Sequence, residues 1–574
     1  MLNQKEQRKH YMIEKINQPK ISIKQTETNK KTCSFKGPET AVLTGLRALS
    51  NSQAIGASAV DLCSMVIPRT AVETKNRGIQ AGIESGIREG SSWLLFACVG
   101  LIGYAASLLT SGKFNNEFKV KAQNIYASGN TVKNMSALWE NAGGNQKQYF
   151  EGFLKSIKGL SGTEWKNVSA DTSSQVVENL VKLADKSKEL ANSSESKSIL
   201  KKEVKDLKNL VMSQIVKDTG ASASYVLKAD GAAKSVSSTL GELVDNAVVL
   251  SNSFEGRTKE GLQKFVKALS SNKTISTVLG LAVCAALCMS VQPLNTYLTK
   301  KRTGEDGFVG VQDRKADDSK GFKALKTAIG VGFSAFAIST IGKLSELGQN
   351  TQFNSKFASI NQFKLLYGLT ITSRFMAARD KNELRECVIK DTLGFTNWLI
   401  FGGLVSKLIA RGIGGKELIN NPVVKENCKS KLGYAFNWLS KAGVKSFDEV
   451  LLPKMKDIAK DGKVRKFSEM FKSADSATKS KILKIAGSQV AGYLYSGLVL
   501  GIGISKLNIF ITRKFEAKKE EKEQKKPVIN NGEKPAQSGL NNVFKNAEQK
   551  KQSINTSYFK YAKEDLSDVF KDFA

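Results

Sequence analysis

Three stretches of this chain carry no charged residue for more than 20 positions, and nothing else in the sequence constrains its fold as strongly. Residues 90–112 run uncharged for 23 positions, 274–299 for 26 and 485–505 for 21. A bilayer core of roughly 30 Å is crossed by about 20 such residues as a helix, with every backbone polar group bonded inside its own segment. Buried helices of soluble proteins are seldom so long. The expected fold is therefore all-α: a polytopic helical membrane protein. Two shorter runs, 327–342 and 392–406, are ambiguous, and snorkelling of Lys407 would extend the second to residue 409.

The chain also repeats itself. Leu294-Asn295-Thr296-Tyr297-Leu298-Thr299-Lys300-Lys301 returns as Leu507-Asn508-Ile509-Phe510-Ile511-Thr512-Arg513-Lys514, a shared L-N-x-[YF]-[LI]-T-[KR]-K. Upstream, Arg77, Glu84, Arg88 and Glu89 recur 302 positions later as Arg379, Glu386, Lys390 and Asp391. A W-L-[LI]-F follows each set, opening at Trp93 and Trp398, with three residues inserted in the second copy. Apolar letters recur cheaply in membrane segments, but charge spacing and paired tryptophans do not. We read an internal duplication of two-span hairpins with helical extramembrane inserts, in which Trp93 and Trp398 act as interfacial anchors.

The expected organisation follows. Residues 1–40 form a disordered basic tail without the apolar core of a signal peptide, so the first span serves as an uncleaved anchor. The first membrane repeat, 41–302, has spans 91–111 and 274–299 around an insert, 113–273. A charged linker, 303–326, leads to the second repeat, 327–514, with spans 392–409 and 485–505 around an insert, 411–484. Residues 515–574 are a disordered linker ending in short amphipathic helices. Full crossing by 327–342 would invert the second repeat and split the basic flanks between two sides. We therefore expect that run to be interfacial or re-entrant, with four spans, both termini cytoplasmic and the protein multi-pass in the cell membrane. Val176, Leu180 and Leu183, then Leu200, Val204, Leu207 and Val211, mark a helical bundle or short coiled coil in the first insert.

Three constellations stand out. Gly78, Gly82, Gly86 and Gly90 recur every four residues, the spacing of a helix-packing stripe. Arg77, Glu84 and Arg88 share one helical face, as do Arg379, Glu386 and Lys390. A gate or ligand site at the membrane mouth is conceivable there, but ion pairs linking the two halves are the better reading. In the tail, Leu540-x-x-Val543-Phe544 recurs as Leu566-x-x-Val569-Phe570, either a bivalent docking peptide or amphipathic turns lying on a bilayer.

Composition excludes much chemistry. The single histidine, His10, lies in the polar tail, which removes Ser-His and Cys-His nucleophile pairs. Arg411-Gly412-Ile413-Gly414-Gly415-Lys416 lacks the spacing of a phosphate loop. No enzyme activity, cofactor or metal is expected. The 87 Lys and Arg against 53 Asp and Glu give a net charge of +34, which demands a polyanionic neighbour. These basic residues flank the apolar runs, so the partners expected are a bilayer with acidic headgroups and unidentified proteins. Self-association is left open, and no nucleic acid is expected. The favoured function is a non-enzymatic anchor or scaffold that binds proteins through its inserts and tail. The alternatives are a channel or carrier formed by two pseudo-equivalent halves, and a membrane-inserting translocator. The clear spans contain no ionisable residue, which counts against ion-coupled transport.

Overall fold

A computed structural model describes residues 38–524, except 52, 160–161, 166–169, 194–196, 222–224, 306–315, 354–357, 402 and 429. The expected tail 1–40 falls almost wholly outside this range, and the docking residues Leu540 to Phe570 fall entirely outside it. The chain is mostly helical. Four helices are long and apolar enough to cross a membrane, and a bent pair would make a fifth.

Two groups of elements are built. After α1 (Pro38–Asn51), the helical bundle comprises α2 (Gln53–Val60), a π-helical turn (Asp61–Val66), α3 (Ile67–Arg77), α4 (Ile79–Thr110), α5 (Lys259–Thr303), α6 (Lys320–Ser339), α7 (Ile360–Ala377), α8 (Lys381–Phe395), α9 (Leu404–Gly414), α10 (Ser476–Tyr495) and α11 (Ile504–Gln524). Chain segments 111–258 and 415–475 form the second group.

Helices α4 and α5 run antiparallel. Asn272 donates to the Thr110 carbonyl at one end (3.0 Å) and Arg302 to Gln80 Oε1 at the other (2.7 Å). Phe353, from the connection between α6 and α7, wedges between them where Gly103 and Gly280 leave room; a Cβ at either glycine would overlap its ring. Along the outer side of α5 the exposed residues from Ile275 to Leu298 include Val278, Val283, Leu287, Met289, Leu294 and Tyr297. At 1.5 Å per residue this apolar belt is about 35 Å tall, close to a bilayer core.

The second half departs from expectation in two places. Residues 320–339 form one continuous helix, α6, where an interfacial or re-entrant run was expected. It pairs antiparallel with α7: Lys326 Nζ donates to the Ala378 carbonyl, and Lys364 Nζ to that of Thr340 at the far end (both 3.1 Å). A hairpin that goes out and returns leaves the following helix on its original side, so α6 can cross without inverting the second half. Conversely, the run at 392–409 is not one straight span. It breaks between residues 400 and 404, where Gly403 takes φ +79°, and the two pieces bend by 47°.

The two inserts share one apolar core. In the first, helices Ala170–Asn192 and Lys197–Thr219 form a hairpin, and a three-stranded antiparallel sheet pairs Ile157 with Leu227 and Leu227 with Val236. Phe265, at the base of α5, packs against Phe114, Phe118 and Phe254 with ring centroids 5.3–5.9 Å apart. Trp139 and Trp165 are buried, as is Tyr149, which donates to the Ala247 carbonyl (3.1 Å) and whose phenol burial pushes upward. The second insert adds Leu418, Phe447, Leu451, Phe467 and Met470 to the same core, and Lys217 Nζ bonds the Lys456 carbonyl between them (2.8 Å).

Helix α1 belongs to this insert end. Leu43 and Leu46 join the shared core, and Arg47 makes a two-pronged bond to Asp448 (2.7 and 3.0 Å). The chain then passes along α2, the π-helical turn and α3 to the opposite end. Residues ahead of the first uncharged run thus begin at the insert end, whereas the basic-flank argument put them at the other.

Candidate functional site

The glycine stripe resolves into separate roles. Gly78, at φ +93°, is the turn that reverses α3 into α4, a backbone region that side-chain-bearing residues rarely adopt. Helix α3 returns so closely that a Cβ on Gly82 would overlap Thr74 Oγ1, and one on Gly86 would touch Thr70 at 3.4 Å. Gly90 has nothing within 4 Å. Only two of the four glycines pack, because period-four spacing does not tell a turn or an open position from a contact.

The charged positions converge into a buried ion network in which residues from 69–89 meet residues from 374–391. In its outer layer Arg77 donates to Glu386 Oε1 (3.0 Å) and to Glu73 Oε2 (3.1 Å). In its inner layer Glu89 is the hub. Arg374 donates to it at 3.0 Å, Lys390 lies at 3.2 Å, Arg88 at 3.6 Å and Arg69 at 3.8 Å. Arg374 also reaches Asp391 Oδ1 (3.0 Å) and Ser92 Oγ (3.1 Å). Arg374 is 2% exposed, Glu89 4% and Asp391 1%. Between the layers lies a cavity of about 20 Å³, lined among others by Glu84, Arg88, Lys390, Ser85, Ser505 and Asn508. That is room for about one water. Ser85 Oγ, Ser505 Oγ and Asn508 Oδ1 have no hydrogen-bond partner among the described residues.

The inner layer is lopsided. Arg374 has three acceptors, while none of the Arg69 nitrogens has one among the described residues. Where α4 offers Ser92 to Arg374, the position 302 residues later on α8 is Gly394, whose Cβ would stand 3.3 Å from Arg69 Nη2. Asp391 Oδ2 is likewise without a hydrogen bond among these residues.

The network sits at the depth of the apolar belt. Ser373, next to Arg374, donates to the Met289 carbonyl (2.8 Å), and Met289 lies inside the exposed apolar stretch of α5. The clear spans themselves carry none of the network's ionisable residues; the network is supplied by α3, α7, α8 and the part of α4 that precedes the first uncharged run. Arg69 and Asp61 precede α4 and Arg374 lies on α7, so neither uncharged length nor the repeat drew attention to them. A signal was present: Asp61, Arg69, Glu73 and Arg77 recur at multiples of four on a helix otherwise rich in small and apolar residues.

Arg77, Glu386, Arg88 and Lys390 meet at the interface, and Glu84 lines the cavity. Arg379 instead bonds Glu383 (3.1 Å). The tryptophans are not a matched pair of anchors: Trp93 donates to Ser58 (3.0 Å), whereas Trp398 is buried against Tyr367. The repeated motif keeps its facing in both copies. Leu294 and Leu507 are exposed, Asn295 and Asn508 buried, Tyr297 and Phe510 exposed. Among the described residues, no cluster of His, Cys, Asp or Glu is arranged to hold a metal ion. Comparison with protein-family models, with curated proteins and with solved structures gives no match.

Proposed function

We propose that the protein is an integral membrane carrier of two pseudo-equivalent halves that meet across the buried ion network. The observation that carries this reading is the Glu89 hub: five ionisable residues from α3, α4, α7 and α8 packed together at the depth of an exposed apolar belt. Charged groups at membrane depth are costly, and where they occur they mark ion or substrate pathways. Duplication supports the reading, since carriers are often built from repeats. The L-N-x-[YF] motif has the same facing in both copies, and the packing is reciprocal. The closing helix of the first half, α5, lies on α7 of the second. The closing segment of the second half lies on α3 of the first, with Gly501 against Ser64 and Pro68. The break between α8 and α9 is a further feature of such folds.

The test is flux. Purified protein in vesicles loaded with a pH-sensitive dye, under a potassium diffusion potential, should move protons or potassium faster than empty vesicles. Folded, correctly inserted protein that moves neither would remove the carrier reading.

A second reading has its own support. The inserts of both halves merge into a single body joined to the bundle, as an anchor that presents a docking platform would require. Cross-linked capture of the same protein by the intact chain, lost when the insert surface is altered, would favour it.

A further inference from the structure

The geometry points to Asp61 as a proton-binding site at the interface of the two halves. Asp61 opens the π-helical turn 61–66 and is 4% exposed. This turn packs on α4, on a further π-helical segment, Ser496–Gly503, which carries no titratable residue, and on α2, which carries none either. Short π-helical segments inside helices occur often at functional sites. The titratable and charged groups that face Asp61 are Glu89 of α4, Arg69 of its own helix, and Arg374 and Tyr367 of α7.

Neither of those cations is paired with Asp61. Arg374 is held by Glu89 and Asp391 at 3.0 Å each, and Arg69 leans toward Glu89 at 3.8 Å. Among the described residues no lysine or arginine comes within 4 Å of the Asp61 carboxyl. The count of charge agrees. The network holds six acids, Asp61, Glu73, Glu84, Glu89, Glu386 and Asp391, against five bases, Arg69, Arg77, Arg88, Arg374 and Lys390. One acid is in excess, and among the described residues Asp61 is the one that neither makes an ion pair within 4 Å nor lines the polar cavity. A buried carboxylate without its own cation is costly, and one bound proton removes the cost. A metal cation would meet the guanidinium groups of Arg69 and Arg374, so the ligand is H⁺.

Release of that proton has a defined consequence. It leaves a carboxylate beside Arg69, whose nitrogens have no hydrogen-bond acceptor among the described residues, and draws Arg69 from Glu89 toward Asp61. Proton binding is thereby linked to the ties between the halves. The inference rests on the carrier reading only in calling this proton the coupling ion; the site itself is tested by binding.

The experiment is infrared difference spectroscopy of the full chain in lipid nanodiscs, titrated with pH. The parent should show the C=O band of a protonated carboxyl that disappears on alkalinisation. Asp61→Asn should lack that band, and Asp61→Glu should retain it at a shifted frequency. The Glu variant keeps the test decisive if the Asn variant does not fold. A band unchanged in both variants, or no protonated carboxyl in the parent at neutral pH, overturns the proposal. Because the readout is binding, its failure is separate from a failure of vesicle flux.

Discussion

Arg374 and Glu89 are 285 positions apart in sequence, yet their side chains meet at 3.0 Å with almost no access to solvent. Such a pair contributes little net stability when intact, since desolvation offsets attraction, but breaking it strands a buried charge. Glu89→Gln should therefore destabilise by about 3–5 kcal/mol, read as a fall in Tm in detergent. The exposed Lys188–Glu255 pair is the control: Glu255→Gln should leave Tm unchanged. Equal Tm for the parent and Glu89→Gln would mean that the network is solvated.

Gly82 and Gly90 should respond with opposite sign. Gly82→Leu drives a branched side chain into Thr74 and should cost about 1–3 kcal/mol or more. A Cβ at Gly90 meets nothing within 4 Å, so Gly90→Ala should gain about 0.8 kcal/mol of helix propensity. Thermal unfolding of the two variants side by side checks this. Gln80 is not a neutral control, because its side chain accepts a bond from Arg302.

The chain should enter the bundle from the insert end. In a cysteine-depleted background, Val42→Cys should react with a membrane-impermeant maleimide from the same side as Lys201→Cys, and Lys301→Cys from the opposite side. Labelling of positions 42 and 301 from one side would show that the segment 53–77 does not cross.

The shared insert core should unfold cooperatively. Phe265 is fully buried among three other phenylalanines, so Phe265→Ala should cost about 3–5 kcal/mol. Proteolysis within both inserts should rise together. Faster cleavage of the first insert alone would mean that the two inserts are independent.

The sequence by itself determined the helical class, the apolar lengths and the positions of the inserts. These are written in local periodicity and in the absence of charge, which need no partner to be read. It also held the spacing of Arg77, Arg88, Glu386 and Lys390, because a helix carries residues on one face wherever it is docked. Tertiary structure alone decided the rest. Helices α3 and α7 carry charges and so look unfit for apolar depth until Arg77 is seen beside Glu386 and Arg374 beside Glu89. Residues 327–342 looked unable to cross because the return path along α7 is visible only once Lys326 caps Ala378. Gly78 and Gly82 are alike in sequence, and only the approach of α3 makes one a turn and the other a contact. Burial changes the meaning of a charge, and burial is a property of the packed chain.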